Sequence, residues 1–103
     1  MIKLSDIWDK ADKELTQIKH KFGSPVTMYT CALGAIVFYL SNRKSCNPTE
    51  LNHEEYFLFS RLTSEFYKNN IIPNHTKLSI TELNDKMGWT FKQFADKARE
   101  LGL

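Results

Sequence analysis

The sequence predicts a small, mainly α-helical domain with little β structure. Three observations predict it. Apolar residues in the first 22 positions recur at the spacing of one helix face. The segment that follows is apolar on nearly every side. Near the end, two helix-start signals, Ser79-x-x-Glu82 and Thr90-x-x-Gln93, stand on either side of Gly88. The 103 residues suit one domain, and 42% hydrophobic with 13% aromatic residues can build a core. That domain reads as a helical part over 1–50 and a second part over 52–103.

The first helix takes Ser5 or Asp6 as its cap. Ile7, Trp8, Ala11, Leu15, Ile18 and Phe22 form its apolar stripe, and Gly23 stops it. The opposite face carries Asp9, Lys10, Lys13, Glu14, Gln17 and Lys21, charges of both signs that read as a solvated surface. Trp8 is read either as core or as an anchor for a partner subunit. Ser24 and Pro25 then give a start signal for a second helix running to about Arg43. Residues 26–30, "VTMYT", also suit a short strand. Both readings stand, with helix favoured from about Met28.

"SNRKSCNPTE" is the clearest loop, rich in Asn, Ser and Pro. Arg43 and Lys44 open it. They suit a helix C-terminus, where the dipole favours cations, and they could equally grip a phosphate. A third helix starts at Asn52 with Glu55 completing the cap. It carries Tyr56, Phe57, Phe59, Leu62, Phe66 and Tyr67, more aromatic surface than one face can bury, so part of it should meet another helix or another copy of the chain. Pro73 breaks it. "TKLS", residues 76–79, reads as a short extended piece.

In the closing stretch a helix opens at Ile80 and ends near Met87. Gly88 suits a left-handed turn, Trp89 plugs into the core, and a last helix opens at Phe91. Two helices meeting steeply through a turn of a few residues is the expected arrangement.

This stretch resembles the helix-turn-helix motif of the winged-helix DNA-binding superfamily. The resemblance rests on Leu83, Met87 and Trp89 around Gly88, on Phe94 six residues further, and on Ala98, Leu101 and the closing "ELGL". It covers roughly residues 52–103 and implies a small winged-helix-like domain with additional N-terminal helices. Asn84 departs from it, standing where a small residue is usual, so the crossing is looser or Asn84 hydrogen-bonds across it. No C-terminal wing is expected after Leu103. A wing would have to come from residues 24–31 or 68–77.

The resemblance also implies a groove-facing surface of Thr90, Phe91, Lys92, Gln93, Ala95, Asp96 and Arg99. Lys92 and Arg99 suit guanine edges, Gln93 suits adenine, and Thr90 a phosphate or base. Asp96 would repel the backbone unless it meets a cytosine amino group. The helix N-terminus favours a phosphate as well. Arg43 and Lys44 could join this surface. Local charge is only +1, with Lys86, Lys92, Lys97 and Arg99 against Asp85, Asp96 and Glu100. The DNA reading requires that Phe91 and Arg99 be neither covered by the subunit nor ringed by acids.

No catalytic constellation is legible. His20, His53 and His75 are dispersed, "HEEYF" lacks a second histidine, and no glycine-rich phosphate loop exists. No cofactor or metal is expected. Cys31 reads as packing, Cys46 as an exposed loop residue, and both as free thiols of a cytoplasmic protein. The charged opening "MIKLSDIWDKADKEL" is unlike a signal peptide, and "CALGAIVFYL" is half the length a bilayer needs. The sequence thus points to a double-stranded-DNA-binding homodimer serving transcription or plasmid and phage DNA processing. A protein-binding adaptor, or a phage or plasmid inhibitor of a host protein, is the alternative.

Overall fold

The computed structural model describes residues 2–71 and 77–103. Helix α1 spans Leu4–Glu14, followed by strands β1 (Thr16–Gln17), β2 (Gly23–Ser24) and β3 (Tyr29–Thr30). Helix α2 spans Ala32–Leu40, a 3-10 turn Pro48–Glu50, α3 His53–Asn69, α4 Ile80–Asp85 and α5 Phe91–Glu100. The fold is mainly helical with one small sheet, as the sequence predicts.

α1 is eight residues shorter than its helical spacing suggests. Leu15 donates its N–H to Ala11 O at 2.8 Å and then adopts extended backbone. Thr16 and Ile18 instead donate to Met28 O and Thr30 O, both at 2.9 Å, building a parallel β1–β3 ladder. β3 also pairs antiparallel with β2, giving the order β1-β3-β2. Pairing with a distant strand therefore outweighs the local helical pattern over 15–22. Ser5 and Asp6 lie inside the first turn, and Lys3 is the N-cap. Gly23 ends no helix. Its φ of +104° sits within β2, where a Cβ would meet Tyr29 O.

The second helix starts later than expected. Ser24 is in a strand, and its hydroxyl accepts from Val26 N at 3.2 Å in a tight turn. Met28, at φ +61°, is left-handed rather than helical. Of the two readings for residues 26–30, the strand is observed at Tyr29–Thr30. Cys31 caps α2, its sulfur accepting from Gly34 N at 3.3 Å. Asn42 and Arg43 turn left-handed, and Arg43 N–H returns to Phe38 O at 2.7 Å, ending the helix before Arg43. α2 is buried along Ala32 and Gly34–Phe38, the central position expected of an all-round apolar helix. Gly34 is needed there, since a Cβ would come within 2.0 Å of Phe22 O.

Three capping boxes form as the sequence indicates: Asn52 with Glu55, Ser79 with Glu82, and Thr90 with Gln93. α4 ends at Asp85, two residues early, and Met87 is 44% exposed rather than packed. Gly88 takes φ +67°. Pro73, His75, the first residue of "TKLS" and half of the 68–77 wing window lie outside the described residues.

One hydrophobic core draws on α1, α2, α3, α4 and α5. Trp8 is at its centre. It is fully buried, stacks near Phe94 (4.9 Å between centroids) and meets Phe66 edge-on (5.2 Å). Its Nε1–H donates to Ala32 O at 3.1 Å. Trp8 is therefore core and cannot anchor a partner. Cys31 and Cys46 are free, and both are buried, which corrects the exposed reading of Cys46. Burial pushes the Cys46 thiol up to about 11.

Candidate functional site

The turn between α4 and α5 is held from outside by one side chain. Gln17, on β1, donates its amide to Asn84 Oδ1 (2.7 Å) and Trp89 O (2.6 Å), and its Oε1 accepts the Phe91 N–H (2.7 Å). Asn84, 1% exposed, accepts from Ala32 N (3.0 Å) and donates to Ile18 O (2.9 Å) and Asp85 Oδ1 (2.8 Å). Asn84 thus ties α4 to β1 and to the start of α2. It does not bridge to α5 itself. Gln17 completes that link, although the sequence placed it on a solvated helix face.

Asp85 extends this network. It accepts from His20 N at 3.0 Å, and the His20 ring nitrogen lies 3.6 Å from its other oxygen. Burial works to raise the Asp85 carboxyl, but the bonds from His20 and Asn84 outweigh it and hold it below the ordinary 3.8. A carboxyl depressed in the folded state stabilises the fold above its unfolded value, and that contribution disappears as pH falls through the folded value. Acid titration of the melting temperature should show this loss below about pH 4, and Asp85→Asn should remove that part of the profile. Parallel acid profiles for the two proteins would refute the assignment.

The expected groove-facing surface is only partly exposed. Phe91 is 2% exposed and Ala95 is fully buried, so both belong to the core rather than to that face. Thr90 and Gln93 are engaged with each other: Thr90 Oγ1 accepts Gln93 N (3.2 Å) and Gln93 Oε1 accepts Thr90 N (2.8 Å). With Phe91 N–H given to Gln17, three backbone donors at the start of α5 already have protein partners. Lys92 Nζ lies 3.4 Å from Asp96. Arg99 binds Asp96 at 3.1 Å and Asp9 of α1 on its other side. Lys97 lies 3.3 Å from Glu100. The cations on the exposed side of α5 are thus matched by carboxylates of the same chain.

Arg43 and Lys44 do not join α5. Arg43 binds both oxygens of Glu14, at 2.9 and 3.1 Å, and lies over the Phe38 and Tyr39 rings. The Tyr39 hydroxyl first, then Arg43, holds the Glu14 carboxyl below its ordinary value. Arg43 lines a cleft with Lys3, Asp6 and Lys10 between α1 and the end of α2, whereas Arg99 reaches α1 through Asp9. Lys44 is exposed beside Arg43. A different cation, Lys19, is placed at the turn. The loop after β1 is fastened by Ile18 O to Asn84 and by His20 N to Asp85, and Lys19 Nζ lies 3.7 Å from where a Cβ on Gly88 would be. Lys19 therefore stands beside the segment that carries Lys86. Helical spacing could not reveal this, because it placed Lys19 within the first helix.

Several exposed aromatic residues lie elsewhere, on α3. Phe59, Leu62 and Phe66 face the core, while Tyr56, Tyr67 and the nearby Ile71 are exposed and Phe57 is 69% exposed. Beside α3 a groove of about 410 Å³ runs between Thr63, Ser64 and Tyr67 on one side and Ile80 and Thr81 on the other, with Leu33 in its lining.

Among the described residues, no group of three or more His, Cys, Asp or Glu is placed to hold a metal, and no helix is long and apolar enough to cross a membrane. No family model, curated protein or solved structure matches the chain.

Proposed function

We propose that the chain is a protein-binding module, an adaptor or inhibitor in class, and that α3 is its docking face. The observation that carries this reading is Phe57, 69% exposed on the side of α3 away from the core. Burying such a ring against a partner gains about 1.5–3 kcal/mol. Exposed Tyr56 and Arg61 flank it, exposed Tyr67 lies further along the helix, and Tyr, Phe and Arg are the residue types enriched in interface cores. The cations of α5, by contrast, are paired within the chain. On this reading the helix-turn-helix-like corner is scaffold, since a fold does not fix a function. Free Cys31 and Cys46 suit a cytoplasmic setting.

The test places a photoreactive phenylalanine analogue at Phe57 or at Gln93, beside a mobility shift on mixed genomic fragments. A protein adduct from position 57, none from 93, and unshifted DNA is the expected result. Adducts at 93 alone would refute it.

A second reading, binding of double-stranded DNA, needs a surface other than the exposed side of α5, since Phe91 is covered and Arg99 is flanked by Asp9 and Asp96; Lys19, whose Nζ lies 3.7 Å from where a Cβ on Gly88 would be, is a cation placed at the turn. If DNA is bound there, changing Lys19 and Lys86 to alanine should lower affinity and reduce the salt slope by about 2. Changing Lys92, Gln93 and Arg99 should do less. Equal loss from both variants would restore α5 as the reading element.

A further inference from the structure

We infer that the cleft between α1 and the end of α2 binds a small organic monoanion, a carboxylate carrying an apolar body. This site is separate from the α3 face and stands whether or not a protein docks there. The cleft holds about 450 Å³, within the size range of small-molecule sites. Its lining has the two parts such a ligand needs. Ile7, Leu40 and the Tyr39 ring give an apolar wall, and Lys3 and Lys10 give cations along one side of α1.

The wall is fixed in advance. The Tyr39 hydroxyl donates to Glu14 Oε1 at 2.7 Å, and Arg43 binds both Glu14 oxygens while lying over the Tyr39 ring. Arg43 is thereby occupied. The two lysines are not. Among the described residues Lys3, Lys10 and Asp6 enter no ion pair. Glu14 lies four residues beyond Lys10, but its oxygens are taken by Tyr39 and Arg43. Charge then selects the class. Lys3, Lys10 and Arg43 against Asp6 and Glu14 leave one net positive charge. One negative charge on the ligand is matched. A second would meet Asp6, which shares the side of α1 between the two lysines, three residues from one and four from the other. Beside an apolar wall these charges act more strongly than in bulk water.

Amide chemical shifts of the isotope-labelled full chain, titrated with phenylacetate, test this. Ile7, Lys10, Tyr39 and Asn42 should move together, with a dissociation constant of about 1 mM, ordinary for so small a ligand. Phenylacetamide, uncharged and of the same shape, should bind about tenfold more weakly. Changing exposed Lys3 and Lys10 together to alanine should cost phenylacetate a similar factor. The same charge removed elsewhere, by Lys86→Ala with Lys92→Ala, should change nothing. Phenyl phosphate should bind the parent no better than phenylacetate does, and should gain on it in Asp6→Asn. The absence of shifts in the cleft with tens of millimolar phenylacetate overturns the inference. Equal binding of phenylacetamide overturns it too, leaving a crevice without charge preference. Equal loss from the two lysine pairs would reduce the effect to general attraction and overturn it, and tighter binding of phenyl phosphate to the parent would overturn the monoanion class.

Discussion

Replacing Asn84 by alanine should cost the fold about 3 kcal/mol, although Asn84 is polar and sits in a six-residue helix. The loss comes from its partners. Ala32 N–H and Ile18 O would lose the side chain that satisfies them, each stranded buried group costing about 1–3 kcal/mol. Gln17 would lose one of its two acceptors and with it some of its hold on the α4–α5 turn. For a domain of this size the melting temperature should fall by about 15 °C. Urea unfolding should show a lower midpoint at an unchanged slope. Asn84→Asp separates shape from hydrogen bonding. It keeps the acceptor, loses the donation to Ile18 O, and puts a carboxylate beside Asp85. Its folded-state pKa would be raised by burial and like charge, so its deficit should shrink as pH falls and the new carboxylate is protonated. A loss under about 1 kcal/mol for the alanine variant would mean that water replaces the amide and that the network is dispensable.

Trp8→Ala should be the most damaging truncation in the core, at about 4 kcal/mol. The indole is fully buried, touches Phe66 and Phe94, and donates to Ala32 O. Its removal opens a cavity among α1, α3 and α5 and takes a hydrogen bond from Ala32 O. Trp8→Phe restores most of the volume but not the N–H, so it should cost about 1–2 kcal/mol. Equilibrium denaturation of both variants gives the partition. If the two substitutions cost the same, packing around the indole is not what holds these helices together. The result bears on the sequence reading as well, because Trp8 on an amphipathic stripe is equally consistent with a subunit anchor until its burial is seen.

What was legible in the sequence is what is decided locally. The three capping boxes join residues three apart, so Asn52, Ser79 and Thr90 mark helix starts without reference to the rest of the chain. Gly88 likewise advertises its left-handed turn. The end of α1 is not local. Thr16 and Gln17 leave the helix because Tyr29 and Thr30 offer them a ladder, and nothing between residues 15 and 22 announces it. The expected site shows a sharper limit. The signal that located the start of α5, Thr90 with Gln93, is a mutual hydrogen-bonded pair, so the residues nominated to touch a base are those occupied in closing the cap. The acid beside Arg99 comes from α1, ninety residues away. Gln17, the residue that fixes the turn, was hidden by its apparent place on a charged helix face.

The closeness of the two ends of this fold has a kinetic side. Ser5 N–H reaches Leu103 O at 3.5 Å, and α1 lies along α5, so α1 finds its main packing partner only when α5 has emerged. Closing so long a loop is slow relative to local helix formation. During synthesis the Leu4, Ile7, Trp8 and Ala11 stripe stays without its principal cover until α5 has emerged, which leaves the nascent chain prone to aggregation up to that point. A ribosome-bound fragment ending at residue 90 should therefore stay protease-sensitive throughout α1, and the thirteen residues that follow should protect it in a single step.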